Sequence, residues 1–254
     1  MIKFLSNNLV DGASIVGSNE DAQYPASNIQ HEFRTKVFRS TTNSDNVVFD
    51  LGAIEDVDSI AIVDNWKNGF GISTLTIEAN GTDSWGAPAF STTLTFDSSF
   101  GIGIKEFTTE SYRFWRFVMT STLGYCELSN VFIGTATEIL TNGIDYGYGW
   151  TSLDLAKKSE TRYGQEYIDD IGTKKELSNL AFKVMNTTEL DKIFEVYDDR
   201  RTVKPFYIKL GDDTNTIISN ENRLNGIYKL KSSPRVVSKT IGLWDVTLNV
   251  EEQK

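Results

Sequence analysis

The stretch that decides the fold is Asn46–Trp66, NVVFDLGAIEDVDSIAIVDNW. Val47, Phe49 and Leu51 alternate with other side chains at the period of a strand with one buried face. Ser59–Val63 is a short apolar run of the kind buried strands carry. The two runs read as paired strands on either side of an acidic turn. The segment then closes on Asp64, Asn65 and Trp66, which begin a loop. It is therefore either scaffold throughout or scaffold that presents a binding loop.

Working outward, the same alternation recurs in Leu75, Ile77 and Ala79, and in Leu94 and Phe96 among threonines. NSDN, ANGTDSWG and FDSSFGIG separate these runs as turn-rich segments. In Arg113–Met119, Trp115, Phe117 and Met119 share one face, and Phe114 and Val118 share the other with Arg116. That pattern predicts a central strand covered on both sides. Short strands spaced by turns, with no helical period before residue 140, indicate a β-sandwich or barrel.

Residues 137–149 lie in a glycine- and tyrosine-bearing run and read as a linker. Beyond it, strands are expected at Trp150–Leu155, Gly164–Ile171, Leu177–Met185, Pro205–Leu210, Gly226–Leu230 and Ser238–Val250. One helix is expected after Asn186, whose side chain suits an N-cap, with Glu189 three residues on. Leu190, Ile193, Phe194 and Tyr197 would form its apolar face. The expected organisation is mainly β: a sandwich over 1–136, the linker, and a β-rich α+β domain with one helix packed on a sheet over 150–254.

Composition narrows the function. The net charge is −10, which argues against nucleic acid as a partner. Residues 1–134 carry −8 of that charge and residues 135–254 carry −2. No apolar run reaches the roughly 20 residues of a spanning helix, so no membrane insertion is expected. The opening MIKFLSNNLVDG does not read as a signal peptide. Cys126 is the single cysteine and reads as a small buried hydrophobe; His31 is the single histidine and reads as a surface residue. With one of each, zinc and triad chemistry have little to work with. Asp169-Asp170, Asp198-Asp199 and Asp212-Asp213 sit at element ends and read as solvated turn acids. No catalytic residue, metal site or cofactor is assigned.

The first half resembles the discoidin, or coagulation-factor type C, domains of the galactose-binding-like jelly rolls. The resemblance rests on NVVFDLGAIEDVDSIAIVDNW, on FWRFVMTSTLGYCELSNVFIG and on YPASNIQHEFRTKVFRST. It covers roughly residues 7–134 and implies a jelly-roll sandwich. In that family a glutamate in the closing motif often helps ligate calcium. Asn130 stands at the matching place here, so no calcium site is assigned. The family presents aromatic residues to sugars from its loops. That implies Trp66, Trp85 and Tyr125 as candidate glycan-stacking residues, with Asn65 and Asn68 beside them for hydroxyls.

The second half resembles the C-terminal part of phage tail proteins with a discoidin-like front. The matching pieces are Tyr163–Tyr167, the Leu180–Met185 strand before the helix, and Lys204-Pro205-Phe206. This implies a structural virion protein of a tail tip or baseplate, made in the host cytoplasm. It would form a homo-oligomeric ring with other tail proteins and project its jelly roll outward. The alternatives are a carbohydrate-binding adhesin that contacts host-surface glycan and, more remotely, a glycan-cleaving enzyme.

Overall fold

The computed structural model describes residues 2–63, 71–95, 102–139, 149–154, 157–160, 166–169, 173–210 and 225–253. The first half contributes β1 (Ile2–Leu5), β2 (Ser14–Gly17), β3 (Phe38–Arg39), β4 (Ser44–Val63), β5 (Ile72–Asn80), β6 (Phe90–Thr95), β7 (Ile102–Ser121), β8 (Glu127–Leu128), β9 (Val131–Gly134) and β10 (Thr137–Ile139). The second contributes β11 (Gly149–Asp154), β12 (Lys157–Glu160), β13 (Glu166–Asp169), β14 (Thr173–Met185), the helix α1 (Thr187–Arg200), β15 (Phe206–Leu210), β16 (Gly226–Leu230), β17 (Arg235–Thr240) and β18 (Leu243–Glu252). The architecture is a β-sandwich followed by a β-rich unit with one helix.

The sandwich is built on β4 and β7. They run antiparallel in the order β2-β4-β7-β5-β6, with β9 added to β4 and a short β3–β8 ladder beside them. The opening stretch differs from its sequence reading here. Val47–Leu51 and Ser59–Val63 do not pair with each other; both belong to the 20-residue β4 and both pair with β7. The intervening acidic residues hold register shifts between Asp50 and Glu55 and between Val57 and Ser59. Such irregularities bend a strand, and both arms of β4 bury apolar residues in one core. At the first bend Gly52 has φ +81°, and its N–H donates to Asp50 Oδ1 at 2.9 Å. Asp50 in turn takes Arg113 through Nε and Nη2 at 2.6 and 2.8 Å. The chain at Asp50-Leu51-Gly52 is thus a kink and not a hairpin.

The core of the sandwich is aromatic. Phe49 lies 4.8 Å from Phe117, and Trp115 is packed by Phe90, Phe107 and Tyr112. Trp115, Phe117 and Met119 are buried as expected, whereas Phe114, Arg116 and Val118 are only half-covered. β7 is central in its sheet but has one dry face.

The second sheet runs β10-β1-β15-β16-β18-β14-β11, with β17 also on β18. β1, from the extreme N-terminal end, pairs with β15 and with β10. Residues assigned to the front domain and to the linker therefore sit in the rear sheet. The expected single strand Ser238–Val250 is instead part of a hairpin, turned at Ile241-Gly242, where Gly242 has φ +76°. The Asn186 cap is as expected: its Oδ1 accepts the Glu189 N–H at 3.0 Å. The buried face of α1 is rotated from its reading, however. Leu190, Ile193 and Val196 pack on the sheet, and Phe194 faces solvent.

Candidate functional site

The polar face of the sandwich carries the candidate site. On β5, Ile77 and Ala79 point into the core, so Thr76, Glu78 and Asn80 lie on the opposite face. Glu78 is the cross-strand partner of Arg116 on β7. Arg116 grips the Glu78 carboxylate through Nη2 and through Nε at 2.7 Å. Its guanidinium also lies 4.5 Å from the centre of the Trp85 ring, a cation–π contact.

The turn between β5 and β6 is tied down by its own residues. Asn80 Nδ2 donates to the Ser84 carbonyl at 2.7 Å, and Asn80 Oδ1 accepts the Gly81 N–H at 2.8 Å. Trp85 Nε1–H donates to Asp83 Oδ1 at 2.6 Å. The indole is thus held at its nitrogen and against Arg116, and remains half-exposed beside Asn80 and Asp83. An aromatic plane flanked by an amide and a carboxylate suits a ligand with one apolar face and several hydroxyls, because the π-face attracts C–H edges while the polar groups fix orientation.

Tyr125 is arranged differently. Arg39 lies between two rings, 4.4 Å from the centre of Tyr24 and 4.3 Å from that of Tyr125. Its Nε and Nη2 both donate to Glu127 Oε2, at 3.0 and 2.6 Å. Burial opposes the Arg39 charge, but the hydrogen bond and charge of Glu127, with Tyr125 and Tyr24, together outweigh it, so the pKa is raised. One face of Tyr125 is closed by this stack.

The structure does not bring Trp85 and Tyr125 together. Gly71 accepts hydrogen bonds from Thr122, so β5 starts at the end of the sheet that carries Tyr125. The nine residues of Ile72–Asn80 then carry the chain about 26 Å along the strand before Trp85. Asn65, Trp66 and Asn68 lie outside the described residues. Asn130, at the place of the resembling family's calcium-linked glutamate, donates through Nδ2 to the His31 carbonyl. Among the described residues, no group of three His, Cys, Asp or Glu side chains is placed to hold a metal ion. Sequence reasoning singled out Trp85 but missed Arg116, Glu78 and Asp83. Glu78 and Arg116 are 38 residues apart, and only the β5–β7 register joins them.

No protein-family model and no curated protein sequence matches the chain. Among solved structures, it is similar to the module CpGH89CBM32-5 of Clostridium perfringens, in complex with GalNAc-β-1,3-galactose. The identity is 8%, the TM-score 0.44, and the match covers 51% of this chain and 100% of that one. A fucose binding module of Streptococcus pneumoniae, SpX-3, matches at 12% identity and TM-score 0.45, over 51% of this chain and 98% of the other. Chitosan-binding module 1 of a Paenibacillus sp. IK-5 chitosanase/glucanase matches at 22% identity and TM-score 0.41, over 51% and 99%.

Proposed function

We propose that this chain is a non-catalytic recognition protein whose sandwich binds a glycan at the Trp85 turn. The observation that carries the reading is the indole held by Asp83 and Arg116, half-exposed and flanked by Asn80. A glycan array with wild type and Trp85→Ala tests it. Wild type should bind a defined set of glycans, and Trp85→Ala should lose them while melting at the same temperature. An array without signal for wild type, or one unchanged by Trp85→Ala, would sink the idea.

A second reading concerns where the protein works, and a different feature favours it. β11 ends its sheet, pairing among the described strands only with β14, and exposes Trp150 and Leu153. An edge strand with exposed apolar residues suits pairing with another chain. This is consistent with the resemblance to phage tail proteins: a tail-tip or baseplate subunit of the virion, closed into a homo-oligomeric ring by head-to-tail contacts. Mass measurement in solution decides, because a chain that stays monomeric alone and beside other tail proteins would exclude it.

A further inference from the structure

The sandwich and the rear sheet meet along a seam, and the seam holds a cavity of about 190 Å3. This is below the roughly 300–1,000 Å3 that drug-sized ligands occupy. Ile29, Val131, Phe132 and Ile227 give it apolar walls. Three of its lining residues carry a buried polar atom without a hydrogen bond among the described residues: Arg200 Nε, which is ion-paired with Asp199 at 2.8 Å, and Tyr207 Oη and Asn130 Oδ1, which have no partner among them. Tyr207 and Asn130 are 3% and 5% exposed. Buried polar groups are normally satisfied, so this pair is the anomaly of the seam.

The charges around the cavity are already matched. Arg200 holds Asp11 at 2.9 Å and Asp199 at 2.8 Å, and Lys229 holds Glu32 at 3.1 Å. Lys204, at the rim, is exposed and keeps its hydration. The unmet requirements are therefore neutral ones. Asn130 Oδ1 needs a donor, since its Nδ2 is committed to His31. Burial pushes the Tyr207 hydroxyl pKa up, so it keeps its proton and needs an acceptor. A hydroxyl group meets both needs, because it donates and accepts.

We propose that the seam cavity binds a small neutral polyol of about monosaccharide size, which donates to Asn130 Oδ1 and accepts from Tyr207 Oη. The proposal does not rest on the Trp85 reading, and its test separates the two. Methyl α-D-galactopyranoside and glycerol are titrated calorimetrically into the full chain, with galacturonate as the charged counterpart of the first. The variants are Tyr207→Phe and Trp85→Ala. A neutral probe should bind wild type saturably and keep a binding event in Trp85→Ala. Tyr207→Phe should lose that event about tenfold or more in affinity.

Ligand-free Tyr207→Phe should melt no lower than wild type, because deleting an unpaired buried hydroxyl leaves nothing unsatisfied. A purely structural hydroxyl would instead lower the melting temperature. Should Tyr207→Phe not fold, Ile227→Phe, which fills the cavity, should show the same loss of binding. Failure of both neutral probes at millimolar concentration means that water alone occupies the cavity and overturns the proposal. So does binding indifferent to Tyr207→Phe and Ile227→Phe, or galacturonate binding as tightly as the galactoside.

Discussion

The two faces of β15 are equally buried and built on different chemistry. Phe206, Ile208 and Leu210 enter the dry core under α1, where Phe206 meets Phe4 at 5.9 Å. Tyr207 and Lys209, one residue out of phase, enter the seam. The same split occurs on β1, with Ile2 and Phe4 in the core and Leu5 in the seam, and on β16, with Tyr228 and Leu230 against Ile227. From the sandwich side, Ala61, Val63 and Phe132 meet them.

The centre of the seam is apolar, and ion pairs surround it. Glu106 takes Lys3 at 2.8 Å and Lys209 at 2.6 Å, and Arg34 reaches Glu252 at 3.5 Å. A dry core needs only apolar residues of the right volume. A seam fixed by buried ionic groups needs particular partners in place. The difference predicts two kinds of failure.

Dry cores, that of the sandwich included, should fail by volume, with the largest effect. Trp115→Ala removes a side chain packed by Phe90, Phe107 and Tyr112, and should cost about 3–5 kcal/mol in denaturant unfolding. The seam should fail by charge. Glu106→Gln keeps the shape but removes the charge that Lys3 and the 3% exposed Lys209 share. Because Glu106 is itself partly exposed, we expect about 2–3 kcal/mol, below the 3–5 of a fully buried broken pair. Replacing Glu106 by Leu together with Lys3 and Lys209 by Met should restore stability to within about 1 kcal/mol of wild type. If that triple variant stays as unstable as Glu106→Gln, the distinction between the two faces collapses.

Acid should sharpen the same contrast. Burial penalises the Glu106 charge, but Lys209 and Lys3 outweigh it, so the carboxyl titrates below its usual value. The Arg113 hydrogen bond, helped by the Gly52 N–H, takes Asp50 to about 2. Both folded values lie below the unfolded ones, near 4. Each group therefore contributes its full stabilisation above that range and loses it as pH falls through it, Asp50 down to about 2. Glu106→Gln should flatten the acid limb of the stability profile, while Trp115→Ala should shift the whole profile without changing its slope. An unchanged slope in Glu106→Gln would show that the seam pairs are not what acid breaks.

The sandwich was legible because its signals are local. Val47, Phe49, Leu75 and Ile77 show their period within a few residues, and in the rear unit Asn186 likewise caps within three. The run Ser59–Val63 was readable as a buried strand; that both its faces are covered is the work of the seam. The rest was not local. Nothing in Ile2–Leu5 points to Ile208 or Leu210, some two hundred residues away. The kink at Gly52 looked like a turn because Asp-Leu-Gly serves either purpose until β7 is known to pair with both sides. Of the candidate site, Trp85 was readable as an aromatic in a turn. Tyr125 was readable in the same way, but its stack needs Tyr24 and Arg39 from distant segments.

The smallest expected effect lies outside both faces, in the bulges of β14. Asn179 and Val184 have φ 56° and 57°, and each N–H is caught by a β18 side chain, Asn249 Oδ1 at 2.9 Å and Asp245 Oδ1 at 3.1 Å. Asparagine tolerates this left-handed conformation; a β-branched valine does not. The strain at Val184 is about 1–2 kcal/mol, and glycine would relieve it at an entropic cost of roughly 0.5–1 kcal/mol. Val184 is exposed, so little packing is lost. Val184→Gly should therefore stabilise the protein by about 0.5–1 kcal/mol, whereas Asn179→Gly should gain nothing. Calorimetric melts of the two variants side by side decide the matter. If both glycine variants melt lower than wild type, the bulges are relaxed and β14 stores no strain at Val184.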